Sequence, residues 1–374
     1  MTSIDRIKIL AVGPDVPRTT WAGMPPQFIT LTLVRIWDSD GAEGVGATHT
    51  YAAGQFDLSA YENVRALAPR IMGKDSQNRE ARWRDLQTYV LPATPGAVAA
   101  IDIALWDLAA SRAQLPLYQF LGGARDRIET YASTPELDSI ADYLKLILNV
   151  RADGFRAVKF HAWNVPDRDL EMIRAVHAEY GGSDITFMHD AENRYDRRSA
   201  LRVARELESL NFRWFEAPFL DYDLAGYREL RNRVQIPIVP HGLWFSELQE
   251  FVYALEHNPW DAVRFDTTIV GGITAARKIC AVAEAFGVGV EPQSWGYSLI
   301  QAPNLHLDLA TNQASYFELP VPYEAYEFGV ENPFRPDSGG FVTAPSAPGL
   351  GLNIDWAAME GASLATCEYR RALE

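Results

Sequence analysis

Residues 155–190 read FRAVKFHAWNVPDRDLEMIRAVHAEYGGSDITFMHD. A short apolar run (FRAVKF) gives way to a proline, then to a stretch with apolar residues at helical spacing (DRDLEMIRAVHAEY), then to a second apolar run (ITFMHD). Strand, helix and strand in that order predict two parallel strands joined by a crossover helix. The same alternation continues through FRWFEAP, IPIVPHG, AVRFD and GVGVEP, with helical runs such as RSALRVARELESL and ITAARKICAVAEAF between them. Repeated units of this kind build either an open doubly wound sheet or a closed barrel. No glycine-rich phosphate-binding sequence follows a strand, so the open nucleotide-binding sheets lose their usual signature and the (β/α) barrel is favoured.

Outside this region the pattern changes. IDRIKILAV and FITLTLVRIW read as strands, DSDG (38–41) as a turn and EGVGATHT as a third strand, which together predict an antiparallel meander. Three helical patterns follow, and in AVAAIDIALWDLAASRA the residues Val98, Ile101, Leu105 and Leu108 recur on one face. The chain therefore divides into an α+β unit over residues 1–125, a barrel over 126–320 and a tail over 321–374. That tail is rich in Pro and Gly (ENPFRPDSGG, TAPSAPGLGLN) and is expected to be irregular and to pack back on the first unit.

The bulk composition excludes several classes of function. With 48% hydrophobic and 22% charged residues in 374, the chain is that of a globular protein with a large core, and no uncharged apolar run of about 18 residues predicts a membrane span. Asp5, Arg6 and Lys8 interrupt the first apolar residues, unlike a secretory leader, so a cytoplasmic location is expected. A net charge of -15 repels phosphate backbones and argues against nucleic acid. Cys280 and Cys367 have no metal-ligand spacing and are expected to be free thiols.

In a (β/α) barrel the chemistry sits at the C-terminal ends of the strands. Those positions here carry Lys159 and His161, then Asp190, Glu216, His241, Asp266, Gln293 and Glu318. Any one of them alone reads as a helix cap or a polar stripe. The series is different, because it places one polar or ionisable group per strand around one mouth. On a strand, Lys159 and His161 share a face and Phe160 points the other way, into the core.

The motifs K-x-H (159–161), MHDAEN (188–193), WFEAP (214–218), FDTTIVGGIT (265–274) and PQSWG (292–296) resemble the mandelate racemase-like branch of the enolase superfamily. AAIDIALWDLAASRAQLPLYQFLGG (99–123) resembles the segment that joins that branch's capping domain to its barrel. The resemblance implies an α/β fold, a modified (β/α)7β barrel with an α+β capping domain formed by both ends of the chain. It also implies a divalent cation, Mg2+ with Mn2+ or another divalent ion as alternatives, that binds a substrate carboxylate while a base removes the α proton. Such a step puts a second negative charge on the carboxylate oxygens, and concentrated positive charge is what stabilises it.

By the same resemblance, Asp190 and Glu216 match two metal ligands. The third position departs: His241–Gly242 stands where the family has Gly–Glu, so either His241 ligates or two carboxylates share the ion with water and substrate. Gln293 stands where a histidine often pairs with the aspartate that is Asp266 here, and an amide transfers no proton at neutral pH. The usual K-x-K has become Lys159-x-His161, which makes His161 the expected base and Lys159 the cation that holds substrate; the alternative is that both are remnants. Glu318 matches an acidic position, as proton donor or hydrogen-bond partner. Trp21, His49 and Tyr51 fall where capping loops close over substrate. The implied activity is dehydration of an acid sugar or related 2-hydroxy acid. A racemase or epimerase, a cycloisomerase and a degenerate acid-binding member are the alternatives. A small carboxylate and further copies of the chain are the implied partners.

Overall fold

The computed structural model describes residues 2–14, 27–53, 55–88 and 93–372. Trp21 lies outside them. At the N-terminus, β1 (Ile4–Val12), β2 (Gln27–Asp38) and β3 (Glu43–Ala53) form the antiparallel meander, and helices Ser59–Leu67, Arg79–Gln87 and Pro95–Arg112 follow. The last of these is buried at every residue from Gly96 to Ala110, because it packs against the sheet and also faces barrel elements. Two glycines of β3 admit it. A Cβ at Gly44 would stand 2.1 Å from the Ala104 carbonyl oxygen, and one at Gly46 would stand 2.2 Å from that of Ala100. The EGVG of β3 is therefore a contact surface for a helix backbone.

The barrel strands are β4 (Arg127–Ser133), β5 (Ala157–His161), β6 (Thr186–Asp190), β7 (Phe215–Glu216), β8 (Ile238–Val239), β9 (Ala262–Val263), β10 (Gly289–Val290) and β11 (Tyr316–Pro320). They run parallel in the order β11-β4-β5-β6-β7-β8, with β9 paired to β10. Asp261 N donates to Ile238 O at 2.9 Å and Ser294 Oγ to Glu318 O at 2.5 Å, which ties that pair to β8 on one side and to β11 on the other. A helix follows each strand except β11, so the architecture is (β/α)7β. No helix among the described residues is long and apolar enough to cross a membrane.

The tail is more regular than its composition suggests. β12 (Phe341–Thr343) pairs antiparallel with β4, and β13 (Ser363–Arg370) pairs antiparallel with β1, giving a four-stranded capping sheet β13-β1-β2-β3. SLATCEYR alternates half-buried and exposed residues along its whole length, the period of a strand with one covered face. The Pro and Gly residues are confined to the connection that precedes it.

Asp102 links the capping helix to the barrel. Its carboxylate accepts from Thr274 N at 2.9 Å and Thr274 Oγ1 at 2.6 Å, and burial pushes its pKa up to about 7 from 3.8. The folded state therefore holds this proton more tightly than the unfolded chain. The contribution to stability is complete below pH 3.8 and is lost as pH rises through about 7. Asp102→Asn keeps an acceptor for Thr274 N and has no charge to bury. It should flatten the fall in stability between pH 4 and 8 by on the order of 4 kcal/mol, read as thermal midpoints across that range; a wild-type slope in the variant would refute this.

Candidate active site

Above the C-terminal ends of the barrel strands lies a cavity of about 250 Å³, lined on the capping side by Gln27, His49 and Tyr51. Lys159, His161, Asp190, His241, Asp266, Gln293 and Glu318 all line it, and so do Glu192 and Trp295. Glu216 does not. On β5, Phe160 is fully buried and stacks on Phe187 between barrel and helices, which leaves Lys159 and His161 on the inner face.

The floor of the cavity is a buried ionic layer. Lys159 Nζ lies 2.8 Å from Glu216 Oε1, 3.2 Å from Glu318 Oε1 and 3.3 Å from Asp190 Oδ2. Arg264, only 1% exposed, places Nε 2.9 Å from Glu216 Oε1, a close ion pair without the alignment of a hydrogen bond. Its guanidinium also donates to Glu318 Oε2 at 3.1 Å and to the Tyr131 hydroxyl at 3.2 Å. Trp214 Nε1 takes the other Glu216 oxygen at 3.1 Å. Both oxygens of Glu216 thus have partners below the cavity, which the residue does not line.

Electrostatics bears on two further expectations. Burial and Arg264 pull the Lys159 pKa down, but Glu216 and Glu318 outweigh them and hold it well above its ordinary value, so the amine stays an ammonium. Burial would raise Glu318, yet Lys159 and Arg264 together hold it down at about 2. Glu318 also accepts from Ser133 Oγ at 2.7 Å and Ser294 N at 3.0 Å, so of its two expected roles it fills that of hydrogen-bond partner. Arg264 was absent from the residues singled out by sequence. Its position was legible, since it lies two residues before Asp266 on the same strand run and so shares its face.

Above this layer, His161 Nδ1 is 2.5 Å from the Thr134 carbonyl, and Nε2 is 3.1 Å from Asp190 Oδ2 and 3.3 Å from Glu192 Oε1. The ring sits edge-on to Trp295 with centroids 5.3 Å apart. His241 Nε2 is 3.7 Å from Glu192 Oε2, while the backbone N–H groups of His241 and Gly242 both donate to Asp221 at 2.8 Å. Gly242 has φ +83°, and a Cβ there would meet the Arg264 backbone at 2.6 Å. The family's glutamate position is closed to any side chain here.

Across the cavity stands Asp266. Its Oδ1 accepts from Thr268 N (2.7 Å), Thr268 Oγ1 (2.8 Å) and Asn304 Nδ2 (3.0 Å), and among the described residues Oδ2 has no partner. Burial pushes this carboxyl up to about 6. Gln293 reaches the His241 carbonyl at 3.4 Å. On the capping side, the Tyr51 hydroxyl donates to Trp295 O at 2.5 Å and His49 packs edge-on to Tyr51. His306 is structural: Nδ1 accepts from Tyr118 N and Nε2 faces the Leu350 carbonyl.

The carboxylates and imidazoles that border the cavity are suitable donors for a divalent cation. Ligand atoms of His161, Asp190 and Glu192 lie within 4.8 Å of one another. The residues present fit such an ion on the Asp190 side.

Comparison with known proteins agrees with this architecture. Residues 10–122 match the model of the mandelate racemase/muconate lactonizing enzyme N-terminal domain, and residues 142–358 match the enolase C-terminal domain-like model. A solved Pseudovibrio sp. structure assigned to the mandelate racemase/muconate lactonizing enzymes is 37% identical with a TM-score of 0.96, over 99% of this chain and 100% of that one. L-talarate/galactarate dehydratase of Salmonella typhimurium is 30% identical over 74% of this chain and 71% of that protein, and its crystal structure gives a TM-score of 0.87. The 3,6-anhydro-alpha-L-galactonate cycloisomerase of Streptomyces coelicolor is 29% identical over 87% of this chain and 89% of that protein.

Proposed function

The chain belongs to the mandelate racemase/muconate lactonizing enzyme family of the enolase superfamily, and we propose that it dehydrates an acid sugar with the help of a divalent cation. The observation that carries the reading is Asp266, a carboxylate that lines the cavity with one oxygen held by three donors and the other without a partner among the described residues. A base held near the working pH by burial is what α-proton abstraction requires. The cavity, about 250 Å³, is below the ~300–1,000 Å³ of pockets for drug-sized ligands, which suits a small acid.

A divalent cation, Mg2+ in a solved relative, supplies when bound the positive charge that a carboxylate needs as its second negative charge develops. The chain's own groups do the rest. Asp266 Oδ2 takes the proton from the carbon α to the carboxylate. The same group, now a carboxylic acid, returns a proton to the hydroxyl leaving the neighbouring carbon, which departs as water. An enol remains and tautomerises to the 2-keto-3-deoxy acid. Lys159, fixed as an ammonium at the cavity floor, adds permanent positive charge beside the developing anion.

A racemase needs competent groups on both faces of the α carbon. Here Lys159 keeps its proton among three carboxylates, Gln293 transfers none, and His161 turns its Nε2 to Asp190 and Glu192. Dehydration needs one face only. The reading extends to a cytoplasmic homo-oligomer, for which the family and the two free thiols, Cys280 and Cys367, are the support.

The test is an NMR screen of acid sugars in D2O with added Mg2+. The expected result is loss of water with solvent deuterium at C3 of a 2-keto-3-deoxy acid. Exchange at the α carbon with inversion and no water loss would replace the reading with an isomerase, a ring-opened or ring-closed isomer with a cycloisomerase, and silence across a broad library with an acid-binding protein.

A further inference from the structure

We propose that this chain holds its divalent cation on His161, Asp190 and Glu192, and not on the Asp190–Glu216 pair that family resemblance implies, so that the site has one nitrogen donor and favours Mn2+ over Mg2+. The inference rests on the metal-assisted reading above.

Three observations carry it. The inner positions face away from the cavity: Glu216 does not line it and has Lys159, Arg264 and Trp214 on its two oxygens, and the Arg264 backbone occupies the space that a side chain at Gly242 would need. A new carboxylate is brought in from outside: the loop after β6 takes Glu192 (φ +50°) and Asn193 (φ +62°) through the left-handed region, which asparagine accepts and glutamate rarely adopts, and this turn sets the Glu192 carboxylate beside Asp190. The turn is held by Glu192 N donating to Asp190 Oδ1 at 2.8 Å, while Oδ2 faces His161 and Lys159.

The third observation is the orientation of His161. The Thr134 carbonyl can only accept, so Nδ1 carries a proton, and Nε2 faces Asp190 Oδ2 and Glu192 Oε1, where a bound cation would take the place of a second proton. Three acceptor atoms then converge at separations of 3.1 and 3.3 Å from the nitrogen. Donors about 2.1 Å from one ion stand ~3–4 Å apart. A carbonyl that fixes the outer nitrogen of a ligating imidazole is also the usual support of a metal-bound histidine. His241, 3.7 Å from the second oxygen of Glu192, steadies that carboxylate.

The experiment measures binding of MnCl2 without substrate, by EPR of free Mn2+ and by electron spin echo modulation of the bound ion, with MgCl2 as competitor. Wild-type protein should show one Mn2+ with nitrogen coupling, displaced only by a large excess of Mg2+. Glu192→Gln should weaken binding by about 10- to 100-fold, His161→Ala should abolish the nitrogen coupling, and Glu216→Gln should leave the affinity within about threefold. Binding lost in Glu216→Gln and kept in Glu192→Gln, or bound Mn2+ without nitrogen coupling, would overturn the assignment. So would equal affinity for the two ions, or no bound Mn2+ at all. The nitrogen coupling is read on unaltered protein, so misfolding of a variant does not decide the matter. Bound Mn2+ with no activity on any acid would leave this site in place and overturn the dehydratase reading alone.

Discussion

Asp266→Asn is expected to lower α-proton exchange by about 10²- to 10⁴-fold, the range supplied by a positioned proton-transfer group. The substitution is isosteric. Its oxygen can keep the three hydrogen bonds from Thr268 and Asn304, and the amide nitrogen takes the place of the partnerless Oδ2, so packing is preserved while the base is removed. Deuterium incorporation into an active acid reads the effect, and unchanged Mn2+ binding in the same variant shows that the cavity is intact. The pH profile provides a second reading. A base pushed up to about 6 must lose its proton to act, so the wild-type rate should climb as pH rises through about 6 and level off above it. Gln293→Ala should change little, because that amide reaches only a backbone carbonyl. Exchange that survives in Asp266→Asn would return the role of base to His161.

The order of strands and helices in the barrel was legible because each βα unit carries its own pattern: period two gives way to helical spacing at a proline or polar break. The strand-end residues followed from the fold, since knowing where a strand stops tells which side chain reaches the mouth. What sequence did not give was which of those side chains turn to the cavity and which turn to each other. Glu216 and Asp190 are equivalent by strand position and both approach Lys159, yet Arg264 and Trp214 hold Glu216 below the cavity while Asp190 lies at its wall. That outcome depends on a buried arginine that reads locally as one polar residue in an apolar strand. Glu192 was missed for a different reason. It lies beyond the strand end, and its approach to Asp190 depends on a left-handed turn that a glutamate does not advertise. β13 was hidden by the Pro- and Gly-rich connection before it, although its own alternation was present in the sequence.

Arg264 also sets the largest expected effect on stability. Lys159 and Arg264 face Glu216 and Glu318, with Asp190 also 3.3 Å from Lys159, in a layer where all five side chains are at most 2% exposed, so two cations offset three carboxylates away from water. Removing one cation leaves a carboxylate desolvated and short of a partner. Arg264→Met, which keeps most of the side-chain length, should therefore cost about 3–5 kcal/mol, seen as a lower denaturation midpoint in urea. The cost is electrostatic more than steric, and that can be separated. In the double variant Arg264→Met/Glu216→Gln the excess carboxylate is also gone, so the loss should be smaller than in the single variant. If Arg264→Met were harmless, or the double variant were as unstable as the sum of the singles, the layer would not be coupled as its distances imply. Glu216 would then be free to take up a cavity-facing position, and the argument that closes it to the cation would fall with it.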